Sequence, residues 1–384
     1  ESSNQHEMFY VNLDTIGEVG DDEYLSTLAH EFQHMIQHNT DLNEPIWFNE
    51  GLSQMAELLA GFGEPRTGYS FLGAVDTPLL YWPSNQNPLP SYGANYLFWL
   101  YLYERLGEGL FVEMAQNPKE GIHAITDVLA RHGSDLNVSD LFNSWAVANL
   151  VDDPDVDDGQ YGYRMAQAGN PCPIVLPREM PLQEEHTIDQ YSAQYHEFGS
   201  GTHYSIEFNG APTVRVIPAQ AHSGESFWWS NRRTDSATRL THAFDLTGVT
   251  SASLEYSLWY NIEEDFDVLF VSVSTNGGQT WHILEGSRTG GNYYEQPGYS
   301  GDSGGWFTER IDLTPYSGQP VLVRFEYRTD TTKTLDGVAL DDIYLSVLGY
   351  SDDVETLDTG WLAEGWVRTS NVAPQYWGVY LVAQ

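Results

Sequence analysis

Two histidines four residues apart, His30 and His34, are the residues whose types and spacing point most directly to chemistry. Positions four apart lie on one face of a helix, so the two imidazoles can converge on one zinc ion. Glu31 follows the first histidine, where its carboxylate can reach a reacting water without binding the metal. We expect the apolar neighbours Phe32 and Ile36 to help bury this helix beside a cleft. The pattern predicts a zinc site with Glu31 as the general base.

A third metal ligand is predicted on the next helix, at Glu50. Residues 35–49 separate it from His34, which is enough chain for a turn and a helical return. Two histidines and one glutamate leave a fourth zinc position open, as a catalytic site requires. His38 is disfavoured as a ligand, because eight helical residues rise about 12 Å from His30, too far to share one ion.

Three more side chains on the helix of Glu50 are candidates to hold the ligands in place. Asn49 and Ser53 flank Glu50, and we assign them this supporting role. Glu57 lies two turns after Glu50 on the same face. It either orients a ligand histidine or is solvated, and the sequence leaves both possibilities open.

The two motifs together resemble the gluzincin class of zinc metallopeptidases, of the thermolysin-like and hyicolysin-like secreted kinds. The stretches that carry the resemblance are His30-Glu31-Phe32-Gln33-His34 and Trp47-Phe48-Asn49-Glu50-Gly51. The resemblance implies a mainly helical zincin catalytic domain, with Glu50 as the third ligand. It also implies a Tyr or His from a downstream helix that stabilises the oxyanion, and Tyr92 and then Tyr96 are the candidates. The alternative for either tyrosine is packing against the core.

The Trp47–Gly51 stretch also resembles the aminopeptidase branch of this class. That branch needs an acidic pocket for the amine of the substrate, placed upstream of the zinc motif. We find none between Glu1 and Asp22, so an endopeptidase acting on protein or peptide substrates is favoured.

Charge and composition narrow the class of protein. A chain of 384 residues suggests two or three domains. The balance of 16 basic against 55 acidic residues gives a net charge of −39, which disfavours nucleic-acid partners. No stretch approaches the roughly 20 apolar residues of a membrane span. Cys172 is the only cysteine, so no intrachain disulfide can form, and the start at Glu1 leads us to expect a missing upstream part.

The sequence pattern changes near residue 170, from helical periodicity to short alternating runs. Before that point we predict a strand over 9–13, helices over 23–38, 45–61 and 92–106, a loop over 61–90, and two or three helices between 109 and 150. After it, we predict strands over 204–208, 213–217, 252–261, 268–274 and 321–327.

These patterns predict an α+β multidomain chain, with a mainly helical zincin domain followed by an antiparallel β-sandwich that is jelly-roll-like. The expected divisions are a zincin-like domain over 1–170, a linker with a small β segment over 171–220, the sandwich over 221–350 and a C-terminal β extension over 351–384. That last segment either begins another lobe or completes the sandwich.

Three stretches of the second half, Thr238–Leu246, Asp265–Ser274 and Asp336–Ile343, resemble a known accessory domain. It is the MAM-like β-sandwich found beside the catalytic domain of immune inhibitor A-like secreted metallopeptidases. Such domains often hold calcium, and closely spaced carboxylates at strand ends suit that ion. The alternative is turn chemistry and edge-strand charge. The candidate calcium ligands are Asp265, Asp267, Asp341 and Asp342.

Two functions follow from these expectations. The first is a zinc endopeptidase of bacterial type, secreted or on the cell surface. The second is a catalytically inactive zincin that acts as an adhesin or as a carbohydrate- or protein-binding protein. The intact Glu31 favours the enzyme, whereas glycan binding would need an exposed row of coplanar aromatic rings on the sandwich. The candidates for such a row are Trp228, Trp229, Trp259 and Trp281.

Overall fold

The chain forms an α+β protein whose helices and strands are divided between two units. The computed structural model describes residues 8–12, 18–40, 44–83, 87–177, 181–199, 205–293, 296–330, 333–356 and 359–383. The first unit comprises the described residues up to Glu207 together with those from Gly378 onward, and the second unit runs from Phe208 to Trp377.

The first unit contains the helices. They are α1 (Asp22–Thr40), α2 (Ile46–Leu59), α3 (Thr67–Leu72), α4 (Leu89–Leu106), α5 (Glu108–Ala115), α6 (Ile122–Arg131) and α7 (Val138–Val151). Within the described part of the chain, no helix is both long enough and apolar enough to cross a bilayer.

The ends of these helices follow local signals where such signals exist. The Asp21 carboxylate accepts a hydrogen bond from the backbone N–H of Tyr24, at 2.8 Å, and so caps α1. Pro45 precedes α2, as predicted. The segment predicted as a loop over 61–90 differs, because it contains α3 and the first residues of α4. A helix of six residues is marginal alone, and burial of Phe71 and Leu72 in the core stabilises it.

Two predicted strands are wrong. Residues 9–12 are irregular, and Leu13 lies outside the described residues. Residues 205–208 are also irregular, and Tyr204 is likewise outside. Alternation of apolar side chains fits a strand, but whether a strand forms also depends on pairing with residues distant in sequence, which local pattern does not record.

Helix α4 is the centre of the first core. Its residues Tyr96–Leu102 are all buried, as expected of a helix that is surrounded on every side. Gly51 on α2 lies against it so closely that an added Cβ atom would fall inside contact distance of the Trp99 side chain. The absence of a side chain at Gly51 therefore lets α2, which carries Glu50, pack directly on α4.

The second unit is built mainly from two large antiparallel sheets, and two short strand pairs, β3 with β17 and β9 with β10, lie outside them. Its strands are β3 (Thr213–Arg215), β4 (Phe227–Trp229), β5 (Ala237–Asp245), β6 (Ser253–Asn261), β7 (Val268–Ser274), β8 (His282–Ile283), β9 (Gly290–Tyr293), β10 (Gln296–Gly298), β11 (Phe307–Asp312), β12 (Pro320–Arg328), β13 (Gly337–Leu345), β14 (Tyr350–Asp352), β15 (Leu362–Glu364), β16 (Val367–Thr369) and β17 (Val372–Pro374). The short strands β1 (Ile174–Val175) and β2 (His196–Glu197) pair in parallel within the first unit.

One sheet has the order β11-β6-β13-β4-β16, with β14 also paired to β13, and the other has the order β15-β5-β12-β7-β8. Their inner faces share one core, in which the rings of Tyr256 on β6 and Phe325 on β12 lie 4.9 Å apart. The unit is therefore a β-sandwich. Within the C-terminal segment, residues 362–369 complete the sandwich, because β15 joins one sheet and β16 the other, whereas the residues from Gly378 onward belong to the first unit.

The contact between Gly51 and Trp99 predicts an unusual response to substitution. A Gly→Ala change inside a helix normally stabilises a protein by roughly 0.5–1 kcal/mol. We expect Gly51→Ala to lower the free energy of unfolding of the first unit by ~1–3 kcal/mol instead, because the new methyl group overpacks the core. Gly109→Ala in α5 is the matched control, since its Cβ would enter open space, and it should be neutral or stabilising. Denaturant titrations of the two variants measure the difference, and equal effects would contradict the packing described.

Candidate metal centre

Helices α1 and α2 bring two imidazoles and one carboxylate together. The Nε2 atom of His30 lies 3.3 Å from Oε2 of Glu50, and the Nε2 atom of His34 lies 3.5 Å from the same oxygen. The two imidazole rings are 4.8 Å apart between their centroids. Among the described residues, these form the only group of three or more metal-ligating side chains whose donor atoms lie within 4.8 Å of one another. All three predicted zinc ligands therefore meet at one point.

Glu57 holds the far side of the His30 ring. Its Oε1 lies 2.8 Å from Nδ1 of His30, and because a carboxylate only accepts, Nδ1 is the donor. The Ser26 hydroxyl donates to the other oxygen of Glu57, at 2.8 Å, and fixes the carboxylate. The sequence left open whether Glu57 orients a histidine or is solvated, and the structure shows that it contacts His30. In the neutral ring, Nε2 is then left with its lone pair directed at Glu50.

The His34 ring is held in a similar way by two neutral groups of α2. Its Nδ1 lies 3.0 Å from Oδ1 of Asn49 and 3.1 Å from Oγ of Ser53. An N–H at Nδ1 donates to Asn49, so Nε2 again faces Glu50. Both residues expected to support the ligands thus contact the same ligand histidine.

The electrostatics of the three groups are tightly linked. Burial lowers the pKa of His30, but Glu50 and Glu57 outweigh it and raise that pKa to about 9. Burial also acts to lower the pKa of His34, but the neighbouring Glu50 carboxylate raises it above its ordinary value. For Glu50, burial acts to raise the pKa, yet the two histidines lower it to about 2. Glu50 is therefore a carboxylate across the whole physiological range.

These residues fit a zinc ion. Two imidazole nitrogens and one carboxylate oxygen are a zinc donor set that leaves a fourth position open. The Oε2 atom of Glu50 is buried and faces both Nε2 atoms, and a buried carboxylate oxygen in this position is stabilised by a cation between the three groups. The side chains of His30, His34 and Glu50 are between 15% and 25% exposed, so the point where they meet is accessible.

A cavity of about 730 Å³ opens beside this point, and Glu31, His34 and Glu50 all line it. Glu31 is exposed on α1. Phe32 and Ile36, which we expected to bury α1, are exposed as well. At 100° per residue they lie on the side of the helix away from His30 and His34, and it is the histidine side that packs on α2.

The structure separates the two tyrosine candidates. The Tyr92 ring lies beside that of His30, with 6.5 Å between centroids, and Trp82 packs edge-on against it at 4.8 Å. Burial, together with the charges of Glu50 and Glu31, raises the pKa of Tyr92 to about 12, so its hydroxyl keeps its proton. Tyr96 is 1% exposed and belongs to the core around α4.

The two predicted calcium ligands that precede β7 lie in unlike surroundings. Asp265 is exposed, whereas Asp267 is fully buried. Asp267 accepts hydrogen bonds from the Tyr327 hydroxyl, at 3.0 Å, and from the backbone N–H of Asp330, at 3.2 Å. Burial raises the pKa of Asp267 to about 6.

The other two aspartates lie on β13 and are held by the segment before β4. Asp341 accepts the backbone N–H groups of His222 and Ser223, while Asp342 accepts the Ser223 hydroxyl and lies 2.6 Å from Nδ1 of His222. No group of three metal-ligating side chains forms here within the described part of the chain. Calcium binding by the four aspartates therefore stays a prediction.

Two residues near the centre were not predicted from the sequence. Ser26 fixes Glu57, and its position four residues before His30 was a usable signal, since it lies on the same helical face. Trp82 packs on Tyr92 from a loop, and no local pattern indicates that contact.

Comparison with known proteins identifies the domain of the second half. Residues 201–371 match the family model described as immune inhibitor A-like, MAM domain. This region is therefore an immune inhibitor A-like MAM domain, as the resemblance of its strands implied.

The curated relatives of this chain include two proteins with metalloprotease names and immune inhibitor A. The chain is 30% identical over 142 residues to pre-pro-metalloprotease PrtV of Vibrio cholerae serotype O1, which is 36% of this chain and 15% of the relative. It is 33% identical over 138 residues to immune inhibitor A of Bacillus thuringiensis subsp. alesti, and the match covers 34% of this chain and 19% of that relative. Neutral metalloprotease ShpI of Staphylococcus hyicus is 29% identical over 151 residues, covering 34% of each. The chain thus spans only a minor part of the length of these relatives.

The convergence of the three donor atoms predicts stoichiometric zinc binding. We expect one zinc ion per chain after dialysis against trace zinc, and its loss in His34→Ala. His38→Ala is the control, because His38 is exposed one turn further along α1. The His38→Ala protein should therefore keep the metal. Elemental analysis of the folded proteins measures the ratio. A folded wild-type chain without zinc, or a His34→Ala variant that retains it, would contradict the site.

Proposed function

We propose that this chain is a zinc-dependent endopeptidase that hydrolyses peptide bonds in proteins, secreted or held at the cell surface. The observation that carries the proposal is the meeting of Nε2 of His30, Nε2 of His34 and Oε2 of Glu50 beside a cavity that Glu31 also lines. Structural zinc sites are normally closed by four protein ligands, whereas this site has three candidate ligands, an open position and the Glu31 carboxylate at its edge. The metalloprotease names of two of the relatives, PrtV and ShpI, agree with this proposal.

His30, His34 and Glu50 would hold the zinc ion. When bound, zinc supplies Lewis acidity that polarises the peptide carbonyl and makes a water molecule more acidic. The Glu31 carboxylate accepts a proton from the attacking water, whose oxygen bonds to the carbonyl carbon. Glu31 then donates that proton to the leaving nitrogen as the C–N bond breaks, which yields a carboxylic acid and an amine.

The surrounding side chains keep this arrangement rigid. Glu57 fixes the His30 ring, and Asn49 and Ser53 fix the His34 ring, so neither imidazole has to be reoriented when a ligand arrives. The Tyr92 hydroxyl remains protonated and lies on the same side as His30, so it can donate a hydrogen bond to the developing oxyanion.

The alternative of a glycan-binding protein loses its main support. Trp259 is buried, and Trp228, Trp229 and Trp281 are half-buried. The Trp281 ring is covered by the Arg324 guanidinium, 3.8 Å from the ring centroid. These tryptophans therefore pack within the sandwich and do not form an exposed row of rings.

Replacement of the general base gives a direct test. Glu31→Gln should keep its zinc and its fold but hydrolyse a quenched fluorescent peptide about 10²- to 10⁴-fold more slowly, because the amide cannot take the proton from water. Glu23→Gln, in the first turn of the same helix, is the matched control and should retain wild-type activity. Equal kcat/KM for wild type and Glu31→Gln would refute the peptidase proposal.

A second pair of variants tests the oxyanion donor. Tyr92→Phe should lower kcat about 10²-fold with little change in KM, since the lost hydrogen bond forms only in the transition state. Tyr96→Phe removes a hydroxyl that lies in the core, and we expect its kcat to stay within a few-fold of wild type. The reverse ranking of the two variants would assign the role to Tyr96.

A further inference from the structure

One carboxylate in the cavity has no part in the proposed chemistry. Glu44 lines the same cavity as Glu31, His34 and Glu50. Glu50 is a proposed ligand and Glu31 the proposed base, whereas Glu44 precedes α2 and takes neither role. Glu44 therefore places a carboxylate at the wall of the cavity without a role in the proposed catalysis.

The Glu44 carboxylate is anchored by backbone. Its Oε2 accepts a hydrogen bond from the N–H of Gly121, at 3.0 Å. Gly121 has φ 54° and immediately precedes α6, and an added Cβ there would lie 3.2 Å from the Pro45 ring. The backbone of Gly121 therefore lies close against the start of α2. The carboxylate is therefore fixed at the wall of the cavity rather than free to swing away.

The lining of the cavity suits a side chain with an apolar stem and a cationic head. Leu28 and Met35 supply apolar surface, and the described residues that line the cavity include no lysine or arginine. Lysine and arginine side chains bury their methylene groups against apolar surface while the charged end seeks an acceptor. A fixed, partly buried carboxylate offers that end a charge-assisted hydrogen bond.

We propose that Glu44 is a specificity-determining residue that selects a lysine or arginine side chain of the peptide substrate. This inference rests on the proposed peptidase function and adds the substrate class. The net charge of −39 acts in the same direction, because it attracts cationic peptides from a distance and repels acidic ones.

The test measures peptide binding apart from turnover. Zinc-loaded Glu31→Gln protein is titrated with amino-terminally acetylated alanine-glycine peptides that carry one lysine, acetyl-lysine or norleucine, scanned along the peptide. At one position we expect the lysine peptide to bind about 10- to 100-fold more tightly than the other two. The double variant Glu31→Gln/Glu44→Gln should lose this preference. Glutamine keeps an oxygen that can accept the Gly121 N–H, so the anchor is retained while the charge is removed.

A control and a second measurement protect the interpretation. Glu31→Gln/Glu108→Gln removes the same charge from an exposed position on α5 and should keep the lysine preference. Carbodiimide cross-linking of the bound lysine peptide, followed by mass spectrometry, should join the lysine amine to Glu44. That measurement decides the matter even if the Glu44 variant fails to fold.

Three results would overturn the inference. They are equal affinity for the three peptides, a lysine preference that survives Glu44→Gln, and cross-linking to a different carboxylate. Lysine preference without hydrolysis by the wild type would refute the peptidase function alone, whereas hydrolysis without preference would refute only the role of Glu44.

Discussion

The packing of α2 against the histidine face of α1 is the constraint on which the candidate metal centre depends. A histidine ring turns about two side-chain bonds, so spacing along a helix brings two rings close without aiming their nitrogens. Here α2 supplies an acceptor for each Nδ1, from Glu57 on one ring and from Asn49 and Ser53 on the other. The same helix places Glu50 in front of both Nε2 atoms. One helix–helix contact therefore fixes the ligands and their orientation together.

That contact is supported in turn by α4, which is buried on all sides. Gly51 allows α2 to lie directly on Trp99. Glu50, the proposed third ligand, immediately precedes Gly51. The amino-terminal part of α4 also carries Tyr92, which reaches the His30 ring. A change deep in this core would thus move a ligand and the proposed oxyanion donor at once, since close-packed interiors transmit displacement rather than absorb it.

The sandwich shows a different use of polar side chains. Its buried carboxylates are largely satisfied by nearby protein donors, as with Asp341 and the backbone N–H groups of His222 and Ser223. Glu309 likewise accepts the hydroxyls of Ser287 and Tyr299. Such bonds remove most of the cost of burying charge. Aspartate spacing alone therefore does not identify a calcium site, because protein donors can satisfy the same carboxylates.

The sequence by itself determined what depends on local geometry. Spacing within α1 placed His30 and His34 on one face, and alternation of apolar residues predicted β7 with the bounds that the structure has, Val268–Ser274. Local pattern also indicated a helical return that carries Glu50. These features depend on neighbours within a few residues, and periodicity records such neighbours.

Only the tertiary structure decided which faces meet. It placed Glu57 on His30 rather than in solvent, left Phe32 and Ile36 exposed, and stabilised α3 inside a segment rich in glycine and proline. It also paired β15 with β5 and β16 with β4, and each of these partners lies more than a hundred residues earlier in the chain. Each of these outcomes depends on side chains or strand edges that are distant in sequence, and a helix or strand carries no local record of the partner that will cover it.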